Sequence, residues 1–313
     1  MLKNKWFIDL VVKFFPQKNY KILLGISGGP DSIFLLEVFN KFLEKKKFAI
    51  AHFNHNWRGE ESVKDFKFVK NIAEKLQVKF FSETWKNPKK SENDAREARR
   101  NFFFSITKKF KFDAICLGTN FDDNVETIFF NFLRGSGING LSGIPIFDSK
   151  TKIFRPLLFF RKKEILEFLE KRKIKFCIDK TNFDTKFSRN FLRQKIFPNL
   201  QKKFPNFPQN LVRQSKIFQR TNHFLQKKVQ NFLKNFVENS SKNEQKINRK
   251  EFLKTDLIEQ SEILRTIFFP KNFDFQQIEN IIFFIKTAKN NKKMTFVNSE
   301  ILIFGNFFFV RKI

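Results

Sequence analysis

The stretch Ile22-Leu23-Leu24-Gly25-Ile26-Ser27-Gly28-Gly29-Pro30-Asp31-Ser32 decides how the chain must be read. Its apolar run is short enough for a buried strand and stops at Ser27. Two glycines then free the backbone, and Pro30 supplies a φ suited to a first helical turn before Ile33-Phe34-Leu35-Leu36. A strand, a tight loop and a helix start follow from these residues alone. Successive backbone N–H groups in such a loop converge on one point, and the positive end of the helix dipole adds to them, so the site suits a pyrophosphate. The lysine of a Walker loop is missing, because the string is SGGPDS. Asp31 stands where an anion should go; in the plainer reading it only complements the helix N-terminus, worth ~0.3–1 kcal/mol.

Working outward, Phe48–Phe53 is a second apolar run after the first helix, which makes a right-handed βαβ unit with a parallel sheet. Ligands in such sheets sit beyond the carboxyl ends of the strands, where His52, Asn54, His55, Asn56 and Arg58 fall. Ser62 with Asp65 reads as the cap of a helix from Val63 to Leu76, and Val78–Ser82 as a third strand. A helix from Ser91 brings Arg96, Arg99 and Arg100 into one turn and sends Phe103 and Phe104 to the core; its arginines are a solvated face or an anion site.

Ala114–Gly118 is another buried strand, and Thr119-Asn120-Phe121-Asp122-Asp123-Asn124-Val125-Glu126-Thr127 opens a helix that Gly135 ends. Asp123 and Glu126, three apart, share one face of its first turn. Two carboxylates near a phosphate site need a cation, either Mg²⁺ held with phosphate oxygens or a substrate ammonium, unless they only complement the dipole. The glycine-rich span 135–143 reads as a mobile loop over the site.

Lysine and arginine number 61 against 31 acidic residues, a net charge of +30, which favours a polyanionic partner; AT-rich codon usage accounts for part of the excess, with 49 Phe beside abundant Lys, Asn and Ile. Residues 161–195 are the most basic stretch and suit phosphate contacts that do not read sequence. The two cysteines, Cys116 and Cys177, form no C-x-x-C, which argues against a zinc ribbon, an iron–sulfur cluster or a disulfide framework and fits a reducing compartment. Residues 1–17 read as an amphipathic helix and not as a signal peptide, and no apolar run is long enough for a membrane span. Beyond Pro205 the expectation is a long helix over 210–236, a polar linker over 238–250, helices at 257–268 and 275–286, and a terminal hairpin turning at Gly305-Asn306.

Five segments, SGGPDS, HFNHNWRGEES, NDAREARRNFFF, LGTNFDDNVETIFFNFLRGSGINGL, and FRPLL with DKTNFDTKFSRNFLRQKIFPNL, resemble in order the tRNA(Ile)-lysidine synthetases of the PP-loop ATP pyrophosphatase superfamily. SGGPDS alone would be shared with other PP-loop enzymes; the later segments narrow the resemblance. It implies an α/β fold, with a parallel-sheet PP-loop domain over 1–205 and a smaller α+β domain over 206–313 that recognises tRNA. It further implies ATP and Mg²⁺ as cosubstrate and ion, and a minor isoleucine tRNA with a CAU anticodon and free L-lysine as partners. A cytoplasmic location, or the stroma of a plastid encoding the protein, follows from the same likeness, with no membrane and with a homodimer as an open case. Carried over residue by residue, Ser27, Gly28, Gly29, Pro30, Asp31, Ser32, His52 and Asn54 would bind the nucleotide, with Asp31 on the metal. Asp31, Arg96, Asp123 and Glu126 would be catalytic, and Arg155, Arg189, Asn190 and Arg193 would contact tRNA. Thr119 and Arg100 depart from the family pattern, which usually has histidine and tyrosine there. A tRNA thiolase, or a non-enzymatic RNA-binding protein with a relic loop, are the competing readings.

Overall fold

The computed structural model describes residues 4–57, 59–86, 91–178, 188–241, 243–268, 273–296 and 299–312. Arg58 and the 179–187 stretch, both singled out above, lie outside them. The chain divides into two compact units, Met1–Lys216 and Ile217–Ile313.

In the first unit, α1 (Asn4–Phe14) leads to β1 (Ile22–Gly25), α2 (Pro30–Phe42), β2 (Phe48–Asn54), α3 (Glu60–Leu76), β3 (Phe80–Thr84), α4 (Glu92–Phe110) and β4 (Ala114–Leu117). Then come α5 (Phe121–Leu133), α6 (Ile138–Leu141), β5 (Phe147–Asp148), β6 (Ile153–Phe154) and α7 (Lys162–Lys171). A continuous helical stretch follows: α8 (Ser188–Phe191), a π-helical turn at Leu192–Ile196, and α9 (Phe197–Lys203). The sheet runs β3-β2-β1-β4-β6-β5, parallel except for the edge strand β5. Strand β1 alternates across it: Ile22 and Leu24 pack with α1, α2 and α7, whereas Leu23 packs with α4. Burial on both faces is why these strands read as unbroken apolar runs.

Strand order reverses between β1 and β4, so the loops that leave their carboxyl ends diverge and open a crevice. SGGPDS leaves one strand and TNFDDNVE the other, which puts the two most informative stretches side by side. The second unit contains most of the long helix α10 (Phe207–Phe236). It continues with β7 (Val237–Ser241), β8 (Glu244–Asn248), α11 (Arg249–Lys254), α12 (Leu257–Phe268), α13 (Phe275–Thr287), β9 (Lys293–Phe296), β10 (Ser299–Phe304) and β11 (Phe307–Lys312). Its antiparallel sheet, β7-β8-β11-β10-β9, is packed by Val229, Phe252, Ile263, Ile281, Ile301 and Phe308.

Several expectations need correction. The linker expected over 238–250 is the β7–β8 hairpin: within that range Ile247 is the fully buried apolar residue, and the polar outer residues hide the alternation. Ser62 does not cap α3. The helix starts at Glu60 behind Gly59, and Ser62 is buried in its first turn. On α4, Phe103 and half-buried Phe104 pack with the core as expected, and Phe102 joins them. Within the glycine-rich span Asn131 Nδ2 donates to Gly140 O at 2.8 Å, and just after it Ile144 N donates to Asn124 Oδ1 at 2.7 Å. The terminal hairpin turns at Gly305-Asn306 as its sequence predicts.

Candidate active site

The β1–α2 turn is closed around one hydroxyl. Ser27 N and Gly28 N donate to Ser32 Oγ at 3.2 and 3.1 Å, and Ser32 Oγ donates to Gly29 O at 2.8 Å. The convergent amides expected of a phosphate cradle are present, with the serine hydroxyl filling their focus. Gly28 has φ +95°, a conformation that side chains resist. Its carbonyl accepts from Cys177 N at 2.9 Å, which docks the chain after α7 onto the loop. Gly118, after β4, lets two loop backbones approach: a Cβ there would stand 2.9 Å from the Asp31 backbone.

His52 and Asn54 lie buried at the end of β2. His52 Nδ1 lies 2.9 Å from Ile26 O, which assigns the proton to Nδ1 and leaves Nε2, buried without a hydrogen-bond partner among the described residues, as an acceptor. Burial lowers the His52 pKa, so the ring is neutral near pH 7. Asn54 Oδ1 accepts from Asn56 N at 2.8 Å and fixes the following turn.

Asn120 ties the two loops together. Its side chain caps α5 by accepting from Asp123 N at 3.0 Å and donates from Nδ2 to Asp31 Oδ1 at 3.1 Å, while Asp123 Oδ2 accepts from Asn120 N at 3.0 Å. Asp31 Oδ2 accepts from Lys162 Nζ at 2.6 Å. Glu126, with a side chain 6% exposed, is gripped bidentately by Arg193, Nε to Oε1 at 2.6 Å and Nη2 to Oε2 at 2.9 Å. Arg193 Nη2 also lies 3.5 Å from Asp123 Oδ1. It stands in the π-helical turn, where the extra residue re-aims side chains. Among the described residues three carboxylates thus face two cations, which leaves one negative charge in excess there. Its cost appears at Asp123, whose pKa rises from 3.8 to about 6 through desolvation and the charges of Asp31 and Glu126.

The structure brings Asp31, Asp123 and Glu126 together as the spacing predicts, and revises two neighbours. Arg193, expected on the tRNA surface, is spent on Glu126, and Lys162, expected in the basic RNA-facing stretch, is spent on Asp31. Arg155 donates from Nη1 to Pro145 O at 3.0 Å; its pKa is lowered by burial and by the charge of Arg96 on α4. Arg189 is exposed on α8 over the Phe130 ring, with half-buried Asn190 beside it. Asn120, Lys162 and Gly118 are positions of the candidate site that the sequence reading missed. Lys162 is 131 residues from Asp31 with no local signal, whereas Asn120 could have been found as the N-cap of a box closed by Asp123.

Among the described residues no group of three His, Cys, Asp or Glu side chains gathers as a metal cage. Mg²⁺ needs only one or two carboxylates beside substrate phosphates, and Asp31, in the first turn after the loop, fits that demand.

The PP-loop domain family matches residues 4–200. The chain belongs to the PP-loop family. Curated relatives named tRNA(Ile)-lysidine synthase are similar to it: 33% identical over 298 residues in Clostridioides difficile (strain 630), covering 89% of this chain and 63% of the relative. A relative from Thermosipho africanus is 38% identical over 206 residues, covering 63% and 48%. The first three curated relatives are thus spanned over 48% to 66% of their own length. A solved U34-tRNA thiolase from Methanococcus maripaludis shares the fold, with a TM-score of 0.54 and 17% identity over 68% of this chain and 79% of that one. No helix among the described residues is long and apolar enough to cross a membrane.

Proposed function

We propose that the chain ligates free lysine to C2 of the wobble cytidine of a CAU-anticodon isoleucine tRNA, using ATP, in the manner implied by the names of its curated relatives. The observation that carries this reading is the acidic cluster, with one negative charge in excess among the described residues, set beside a phosphate loop at the point where strand order reverses. That arrangement has a place for a polyphosphate and a place for a cation.

In the first step the cytidine C2 oxygen attacks the α-phosphorus of ATP; an O–P bond forms and pyrophosphate leaves. The Ser27–Ser32 amides hold the phosphates once the Ser32 hydroxyl yields their focus, and Mg²⁺ held by Asp31 would neutralise the departing charge. In the second step the lysine ε-amine attacks C2, and the C2–O bond breaks to release AMP. The amine, of pKa ~10.4, must first lose a proton. Asp123 is the acceptor best suited, since its pKa of about 6 stands nearer the amine than an ordinary aspartate's does. Glu126, already neutralised by Arg193, shapes the cation site through that pair. Arg96 and Arg155 offer positive charge to the lysine carboxylate. The basic surface, the tRNA identity and the role of the second unit in holding the tRNA belong to the same proposal.

Thiolation is the weaker reading. The Cys116 thiol is buried within β4 and its pKa is driven upward by burial, which suits packing and not nucleophilic sulfur chemistry. The test is release of AMP and pyrophosphate from ATP with and without bulk tRNA. RNA-dependent release that Asp31→Ala abolishes supports the reading; release indifferent to RNA, or retained in full by Asp31→Ala, refutes it.

A further inference from the structure

We infer that Arg134 and Arg189 form a phosphate-binding site for the RNA backbone one to two helical turns from the acidic cluster. This rests on RNA being the partner, as proposed above. The geometry is a two-rung ladder between α5 and the α8 stretch. Glu126 meets Arg193 on the first rung, and Phe130, one turn further along α5, meets Arg189, one turn back on α8. Rungs four residues apart are about 6 Å apart along a helix. Arg134 follows by another four residues and lies over the same Phe130 ring, with its guanidinium carbon 5.5 Å from the centroid against 5.7 Å for Arg189.

The first rung is spent. Both Arg193 and Lys162 are committed to carboxylates, so neither has its charge available for RNA. On the second rung the situation reverses: Arg134 and Arg189 are exposed, and neither has a carboxylate or hydrogen-bond partner for its guanidinium among the described residues. Two like charges held against one ring repel each other, and the ring quadrupole offsets only part of that cost. An arriving anion removes it. The ring also orders both guanidiniums, so less side-chain freedom is lost when their N–H donors engage a phosphate. The occupant is therefore an RNA phosphodiester close to the nucleotide presented to the acidic cluster.

The test is equilibrium binding of a labelled CAU anticodon stem–loop RNA, without ATP or lysine, across a salt series. Arg134→Ala and Arg189→Ala are each expected to weaken binding about five- to tenfold at 0.1 M salt and to reduce the slope of log affinity against log salt by about 0.7–1. Arg134→Lys should retain the slope, as should Lys75→Ala on exposed α3, and melting temperatures should stay at the wild-type value. An unchanged slope in Arg134→Ala and Arg189→Ala overturns the site, as does failure of the wild-type chain to bind the RNA. RNA binding with the expected slopes, in a chain that transfers no lysine, would leave the site standing and sink only the ligase reading.

Discussion

Arg193→Ala is expected to destabilise the first unit by about 2 kcal/mol. Breaking a fully buried ion pair costs about 3–5 kcal/mol, because the remaining charge is left without a partner. Glu126 meets that condition at 6% exposure, but Arg193 is 44% exposed, so water reaches the vacated space and the figure is discounted. With the first unit spanning Met1–Lys216, this corresponds to a fall in Tm of about 4–8 °C. All three tryptophans, Trp6, Trp57 and Trp85, lie in that unit, so tryptophan fluorescence during urea or thermal unfolding isolates its transition from that of the second unit. Glu126→Gln alone is expected to cost about 1 kcal/mol, since the guanidinium keeps one acceptor. The double variant leaves no buried charge, and should cost less than the two singles together by about 1–2 kcal/mol. Additivity within about 0.5 kcal/mol, or an unchanged Tm in Arg193→Ala, would refute the view that Arg193 exists to neutralise Glu126.

Three further outcomes follow from the same geometry. The folded state holds the Asp123 proton more tightly than the unfolded chain does, so this group's stabilising contribution is present below pH 4 and is lost as pH rises through about 6. Asp123→Asn should therefore be about 1 kcal/mol more stable than wild type at pH 8, discounted for a side chain 34% exposed, and equal to it at pH 4; urea midpoints at the two pH values check this. Gly118→Ala should cost about 1–3 kcal/mol and weaken ATP at least tenfold, because its Cβ meets Asp31 and Ser32 backbone atoms and not the ends of flexible side chains. Gly137→Ala, whose Cβ meets nothing within 4 Å, is the control. Asn120→Ala should lose about 1 kcal/mol of helix capping and raise the KM for ATP as Asp31 loses its second hydrogen bond, measured by unfolding and by initial rates.

Much of this was legible in the sequence, and the boundary of legibility has a physical cause. Strand β1 and the turn after it could be read because a both-faces-buried strand is a continuous apolar run and Gly28-Gly29-Pro30 leaves few alternatives. Asp123 and Glu126 could be placed on one face because helical spacing is local. Their partners could not, since Lys162 and Arg193 arrive through tertiary packing and look, in sequence, like any other member of a basic run. The same limit explains the β7–β8 hairpin, whose exposed polar residues gave no strand period, and the short β5 and β6, too brief to show any. Gly118 is legible only in three dimensions, where the backbones of two loops nearly touch.

The account stands or falls on transfer of lysine to RNA. Incubating the chain with ATP, Mg²⁺, labelled lysine and bulk tRNA, then digesting the recovered tRNA to nucleosides, is expected to place the label in a single modified cytidine, with none in the Asp123→Ala variant. Label absent from tRNA that the chain still binds, or label attached through an ester at the tRNA 3′ end, would contradict it.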